Sequence, residues 1–195
     1  MDIRLATRQD AAQIRRIYAP YVTDTAVTFE YDIPDVEEFS ERIRKTMQKY
    51  PYLVAEEEGR ILGYAYAGAF RPCAAYQHSV EVSIYVDQAE GGNGIGRKLY
   101  QELERVLVLQ NVFVSYACIT MTERTDDPFL TDGSIRFHEK MGYTLAGRFH
   151  HCGYKFGRWY SMIWMEKSIC SRPKQPEPFL PFSLIPCSID EYRCI

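Results

Sequence analysis

The run over residues 79–96, SVEVSIYVDQAEGGNGIG, constrains the fold more than any other stretch of this chain. Val80, Val82, Ile84 and Val86 alternate with Glu81, Ser83 and Tyr85, the period-2 pattern of a strand with one apolar face. Gly91, Gly92, Gly94 and Gly96 follow. Ile95, Leu99, Leu103 and Val106 then recur at helical spacing. Residues 112–120 are apolar and strand-like again. A strand–helix–strand unit of this length predicts a parallel pair joined by a right-handed crossover. The chain must therefore build a sheet that is at least partly parallel, with a helix across one face.

The flanking segments extend that sheet. Residues 3–6 predict a first strand. Thr7 with Asp10 three positions on is a capping box, and Ala11, Ile14 and Tyr18 mark one face of the helix behind it. Residues 25–31, TAVTFEY, favour β structure but read equally as a loop edge. Pro34 and Asp35 open a second helix with Glu38 completing its cap; Val36, Phe39, Ile43 and Tyr50 carry its apolar spacing to about Pro51. Residues 52–57 and 61–70 are two strands around a Glu58-Gly59-Arg60 hairpin turn. Thr131-Asp132 cap a helix running to about Met141, where Gly142 ends it. Residues 143–151 and 159–166 predict two last strands. The fold class is α/β, a mixed sheet with helices on its faces.

Composition narrows the function classes. A chain of 195 residues is one domain of ordinary size. A net charge of -3 gives no electrostatic footprint for nucleic acid. The opening MDIRLATRQDA turns polar at once, and the apolar run 61–70 is too short for a bilayer. A soluble cytoplasmic protein without a membrane partner is the expectation. The six cysteines, Cys73, Cys118, Cys152, Cys170, Cys187 and Cys194, form no CxxC pair and read as free thiols, Cys118 as a buried one. From Ser171 onward, Pro173, Pro176, Pro178, Pro181 and Pro186 forbid regular structure. Phe179, Leu180, Phe182, Leu184 and Ile185 are nonetheless apolar. The expected organisation is a domain over 1–170 and an arm over 171–195 that packs on the body or on a second subunit. His150, His151 and Cys152 are consecutive on a strand and point to alternate faces, so no metal site is expected there.

Two features carry chemistry. The glycine turn leads straight into a helix, where bare N–H groups and the helix N-terminus favour an anion, with Arg97 and Lys98 adding charge. The string matches neither the GK[ST] phosphate loop nor GxGxxG, so by itself it reads first as a flexible turn and an ordinary helix start. Glu81 shares its strand face with Ser83. An amine nucleophile arrives as an ammonium ion and must lose a proton. A glutamate with an ordinary pKa of about 4.3 does this only if burial raises it or a water relays the proton. From the pattern alone, Glu81 reads first as a solvated acid on an exposed strand face.

AYAGAFR (65–71), VEVSIYVD (80–87), GNGIGRKLY (92–100), SIRFHEKMGY (134–143) and GYKFGRW (153–159) stand in an order and spacing that resemble the GCN5-related N-acetyltransferases (GNAT). The resemblance is to the phosphinothricin and methionine sulfone/sulfoximine N-acetyltransferase branch and covers roughly residues 2–167. It implies the GNAT fold, a mixed and mostly antiparallel central sheet with a splayed parallel strand pair, flanked by helices. It implies acetyl-CoA as cosubstrate, no metal, and a homodimer. The backbone of Gly92, Asn93, Gly94, Ile95, Gly96 and Arg97 would hold the pyrophosphate, and the main chain of Ile84, Tyr85 and Val86 the pantetheine arm. Glu81 falls on the branch's base. His138 falls where many members have a tyrosine, to protonate the leaving thiolate or only hydrogen-bond its sulfur. Thr131 stands where the branch has a cofactor-contacting asparagine and keeps a hydroxyl without the amide reach; Gly91 stands where the family has Gln or Arg and removes one polar side chain from the pyrophosphate cradle. Ser134 is a secondary cofactor candidate. Phe29, Glu30, Arg71, Tyr76 and Lys155 match the acceptor pocket, where Arg or Lys would meet a carboxylate. The implied reaction is direct acetyl transfer to the primary amine of a small amino-acid-like acceptor. A protein N-terminus or a polyamine is the alternative acceptor, and a CoA-binding sensor without turnover the alternative class.

Overall fold

The computed structural model describes residues 1–185. Pro186, Cys187 and Cys194 lie outside the described residues. The elements are β1 (Asp2–Leu5), α1 (Ala11–Thr23), α2 (Val36–Met47), β2 (Tyr52–Glu57), β3 (Arg60–Ala69), β4 (Ser79–Val86), α3 (Ile95–Leu109), β5 (Val114–Met121), α4 (Gly133–Lys140), β6 (Thr144–Lys155) and β7 (Arg158–Ser168). One sheet holds all seven strands in the order β1-β2-β3-β4-β5-β7-β6. Only β4 and β5 run parallel, as the strand–helix–strand reading requires; every other pair is antiparallel.

Helices cover both faces of the first half of the sheet. α3 lies on one face, where Leu99, Leu103 and Leu107 pack on Leu53, Ala65, Ala67 and Val82. α1 and α2 lie on the other, where Ile14, Tyr18, Phe39 and Ile43 pack on Tyr52, Val54 and Tyr64. The Thr7 capping box forms around a short turn, Arg8–Asp10, that feeds α1. The Asp10 carboxylate accepts from the Thr7 backbone N–H at 2.7 Å and from both terminal nitrogens of Arg4 at 2.7 and 2.9 Å. Asp35 caps α2 by accepting from the Glu38 N–H at 2.8 Å.

The parallel pair splays. β4 and β5 share only three rungs, Ser79 with Val114, Val80 with Ser115 and Glu81 with Tyr116. On its other side β4 stays paired with β3 as far as Val86. Past Glu81 the β5-facing edge of β4 therefore has no strand partner, and its backbone groups open onto a groove.

Several expectations need correction. Residues 25–31 form no strand; they belong to the loop between α1 and α2. α2 ends at Met47, and Val36 in its first turn is exposed instead of lying on the apolar face. β6 is longer than predicted, because irregularities at Leu145/Gly147 and Phe149/Gly153 let it bend and continue to Lys155. Cys118 is exposed. It lies on the sheet face opposite α3, beyond the reach of α1 and α2, where no helix covers β5. Its sulfur meets Met162 Sδ at 2.8 Å. The atoms packed around the sulfur, with nearby Glu81 adding, push the thiol up to about 12. Cys73, Cys118, Cys152 and Cys170 are all free thiols.

The described part of the arm packs on its own chain. Phe179 lies against Tyr50 with ring centroids 5.5 Å apart. Leu180 exchanges hydrogen bonds with Gln110, its N–H donating to the Gln110 carbonyl at 3.1 Å and its carbonyl accepting from Gln110 Nε2 at 2.9 Å. Among the described residues no helix is long and apolar enough to cross a membrane.

Candidate active site

The groove below the splay has a volume of about 430 Å³. Ile84 and Val86 form one wall, Thr131, Ser134 and Phe137 the opposite one, and Gly92, Gly94, Ile95, Gly96 and Arg97 close one end. Gly92 and Gly94 have φ of +86° and +76°, a conformation that side-chain-bearing residues rarely adopt. Gly94 is the N-cap of α3, so the first N–H groups of that helix have no intrahelical acceptor and point into the turn. Gly96 is needed for another reason. A Cβ there would stand 3.1 Å from the Phe137 ring and 3.4 Å from Ile84 Cδ1. Missing side chains thus keep open the groove end where the free N–H groups converge, which suits a pyrophosphate. Asn93 does not line the groove; its amide donates to Glu90 at 3.2 Å. Gly91 does line it, in the position where a polar side chain was expected. The Thr131 hydroxyl accepts from the Gly133 N–H at 3.3 Å, so it holds the start of α4 while facing the groove.

Glu81 stands on the last rung of the parallel ladder. Its neighbours in that row are Tyr116 on β5 and Gly68 on β3. No atom lies within 4 Å of a Cβ placed on Gly68, so the row is open on that side. The Glu81 carboxylate makes no hydrogen bond among the described residues. Burial raises its pKa, and the positive charge of Arg71 pulls back against it. A smaller cavity of about 60 Å³ runs through the splay beside it, lined by Ser83, Cys118, Thr120, Tyr100 and His138 among others.

His138 is buried and fully engaged. Its Nδ1 lies 2.7 Å from the Ser134 carbonyl, which can only accept, so Nδ1 carries the proton. Burial lowers the pKa and keeps the ring neutral. Nε2 is then bare and accepts from the Tyr100 hydroxyl at 3.0 Å. In this arrangement the ring has no free N–H to give a leaving group. Tyr100, at the end of GNGIGRKLY, escaped sequence reasoning because it lies off the repeat marked by Ile95, Leu99, Leu103 and Val106; its hydroxyl ties α3 to α4 at the cavity.

The acceptor-side candidates separate. Glu30 accepts from Arg42 at 2.8 Å and leaves its other carboxylate oxygen buried and unpaired. Arg71 lies over the Phe70 ring at 4.8 Å, and Tyr76 meets the same ring edge-on at 5.9 Å. These three face the uncovered side of the sheet with Glu81. Phe29 packs on Gly153, where any Cβ would fall 2.3 Å from its ring; this close approach accounts for the glycine that opens GYKFGRW. Lys155 is placed otherwise than expected. It is 2% exposed, and its ammonium donates to the carbonyls of Thr25 and Thr28 at 2.9 and 2.7 Å. It pins the α1–α2 loop and has no free face for a carboxylate. Tyr31 adds a hydroxyl bond to the Tyr154 carbonyl, and the Ala26 N–H donates to Phe129 at 2.9 Å. Among the described residues no group of three His, Cys, Asp or Glu side chains is placed to hold a metal ion.

Comparison with known proteins agrees with this geometry. Residues 3–164 match the model of the acetyltransferase (GNAT) domain. The chain is 31% identical to the phosphinothricin N-acetyltransferase of Streptomyces viridochromogenes over 95% of its own length and 96% of that protein's. It is 32% identical to the L-methionine sulfoximine/L-methionine sulfone acetyltransferase of Salmonella typhimurium, covering 85% and 93%. Among solved structures it is similar to a GNAT superfamily phosphinothricin acetyltransferase from Sinorhizobium meliloti in complex with AcCoA. The TM-score is 0.79 at 30% identity, over 93% of this chain and 97% of that one.

Proposed function

Because this chain belongs to the GNAT acetyltransferases, we propose that it acetylates the primary amine of a small amino-acid-like acceptor of the phosphinothricin and methionine sulfoximine type, with acetyl-CoA as donor. The observation that carries the reading is the position of Glu81. It sits on the last rung before the strands part, where the glycine-ended groove meets the open face of the sheet.

Acetyl-CoA supplies an acyl group activated as a thioester. The turn from Gly92 to Arg97 would hold its pyrophosphate, and the free β4 edge at Ile84 and Val86 its pantetheine arm. Glu81 takes the proton from the acceptor's ammonium, through a water where the two do not touch. Its raised pKa brings it closer to that of the amine it serves. Unpaired N–H groups of β4 past Glu81 are oriented toward charge that develops on the acyl oxygen. His138, with both nitrogens engaged, acts through Tyr100 as a positioning group; a thiolate of pKa about 8.5 leaves without an enzyme acid. Arg71 and Tyr76 flank the acceptor, and Glu30 faces it with its unpaired oxygen.

The reading takes residues 1–170 as the acetyltransferase domain and 171–195 as an arm, in a cytoplasmic homodimer. Exposed Leu145, Phe149 and Trp159 on the β6–β7 edge of the sheet support self-association.

The test is acetyl-CoA-dependent thiol release on a panel of amines, beside acetyl-CoA binding, for the wild type and Glu81→Gln. Loss of the base lowers turnover about 10²–10⁴-fold and leaves acetyl-CoA affinity unchanged. Unaltered turnover in Glu81→Gln refutes the assigned base. Tight binding without turnover on any amine supports the sensor reading instead.

A further inference from the structure

The cavity of about 60 Å³ in the splay joins the cofactor groove to the surroundings of Glu81, so it is where the acyl end of a donor would lie. A water needs about 10–15 Å³ of such space, so the cavity holds about four water-sized atoms, enough for an acetyl group and little else. A larger cavity of about 500 Å³ lies next to it, between the β5–α4 loop and the start of α4. Thr120 and Leu130 line both cavities and form the partition between them. Toward α3 and α4 the small cavity is closed by Tyr100 and His138, which are bonded to each other at 3.0 Å. Space for a longer acyl group therefore exists behind the partition and not behind that pair.

Both halves of the partition are braced. Thr120 is held in β5 by its pairing with Met162, and its hydroxyl donates to the Val27 carbonyl at 3.4 Å. Its side chain is short, so Leu130 supplies the rest of the partition. Leu130 is 7% exposed and packs with Ala26 and Tyr160. The residue before it is tied down twice. The Phe129 carbonyl accepts from the Ala26 N–H at 2.9 Å, and the Phe129 N–H donates to Asp127 Oδ1 at 2.9 Å. Asp127 is itself anchored, with Arg158 at 3.4 Å and the Tyr160 hydroxyl donating to it at 3.3 Å. The loop cannot carry Leu130 aside without breaking these bonds.

We propose that Leu130 sets the acyl length that the enzyme accepts, by separating a cavity of acetyl size from a larger one. The third and fourth carbons of a butyryl group meet the Leu130 side chain. With that side chain cut back they pass into the larger cavity, where Met121 and Ile135 offer apolar surface. The inference rests on acetyl-CoA as donor, and Leu130 takes part in no step of the transfer. For either acyl group the same thioester C–S bond breaks, the same amide C–N bond forms and the amine's proton goes to Glu81, so only the fit of the acyl chain differs.

The experiment compares butyryl-CoA with acetyl-CoA on the full chain, by kcat/KM with one amine acceptor and, without acceptor, by Kd from calorimetry. The wild type prefers acetyl-CoA about a hundredfold or more in kcat/KM. Leu130→Ala narrows that preference about tenfold or more. Leu130→Val removes a single methylene and strains the fold less; it narrows the preference by a smaller factor and favours propionyl-CoA before butyryl-CoA. A ratio of two donors cancels any general loss of activity, and thermal melts show that both variants are folded. A wild type that uses both donors equally, or a ratio unmoved in both variants, overturns the partition. Absence of turnover on every amine, with acetyl-CoA still bound, defeats the acceptor reading alone. The Kd ratio then decides: the partition stands if Leu130→Ala narrows it and falls if it does not. Absence of acetyl-CoA binding removes the donor and the partition together.

Discussion

Arg71 acts on Glu81 across the open face of the sheet, and the consequence is readable in pH. Burial raises the Glu81 pKa, while Arg71 favours the ionised form and lowers it. A base works only when ionised, so kcat/KM falls as pH drops through that pKa, at a higher pH than for a solvated glutamate. Removing the cation takes away the lowering influence, so Arg71→Met moves the acid limb to still higher pH and Arg71→Lys restores it. The position of the limb, read from kcat/KM against pH, is the measure; loss of acceptor affinity alone changes its height and not its midpoint. An unmoved limb in Arg71→Met removes Arg71 from the base's surroundings. At this scale the sequence was legible where a pattern fixes orientation. Alternation put Glu81 and Ser83 on one face and Ile84 and Val86 on the other, as found. It was not legible where partners come from far along the chain. Lys155 looked like a carboxylate receptor, but its acceptors are the carbonyls of Thr25 and Thr28, 130 and 127 positions away. Cys118 looked buried because its strand is apolar, whereas burial depends on which helices cover that end of the sheet.

The turn before α3 shows the same division among elements. Four glycines and a helical repeat announced a strand, an anion-friendly turn and a helix, and the parallel pairing followed from the crossover. The splay itself had no local signature and entered only through the resemblance, since three rungs and eight look alike in sequence. Gly96 has a role that neither reading supplied, because it sets how closely α3 approaches α4 at Phe137. In Gly96→Ala the new methyl meets the ring at 3.1–3.2 Å, and the ring lines the groove with Tyr100 and His138 packed against it. Overpacking of this kind costs about 1–3 kcal/mol. Because Phe137 yields into the groove, the cost falls on acetyl-CoA affinity, with a Kd about tenfold higher and a smaller change in melting temperature. Calorimetric titration with acetyl-CoA beside a thermal melt checks this. A lowered melting temperature with unchanged affinity means that the ring moved into the core instead.

At the scale of the whole molecule the arm is the segment whose behaviour sequence could only bracket. Its prolines were expected to forbid regular structure, yet a short 3-10 turn forms at Phe182–Leu184 behind Pro181; its apolar residues required a surface to cover, and which surface was not written locally. The structure supplies it at the far end of α3 from the glycine turn. Gln110, buried just past the last turn of that helix, divides its amide between the Lys49 and Leu180 carbonyls at 2.8 and 2.9 Å. Asn111 donates to the Pro178 carbonyl, the Phe182 N–H to Lys49, and the Ser183 hydroxyl to Gln48. Phe179 meanwhile joins the edge of the α3-side core. The arm therefore straps the C-terminal end of α3 to the segment between α2 and β2, and its loss is felt by the same core that supports the cofactor turn. Phe179→Ala gives up most of a partly buried aromatic side chain, about 2 kcal/mol. Truncation after Pro176 also takes away the Leu180 bonds of Gln110 and leaves its amide the Lys49 carbonyl alone, for about 3 kcal/mol in all. For a chain of this size that is a fall of about 10 °C in melting temperature. The melt stays a single transition, since no separate body is released, and acetyl-CoA affinity of the folded protein is kept because the groove lies at the other end of α3. Calorimetry of the truncated and Phe179→Ala proteins decides it: an unchanged midpoint in both removes the strap, and a second transition means that the arm and the domain fold apart.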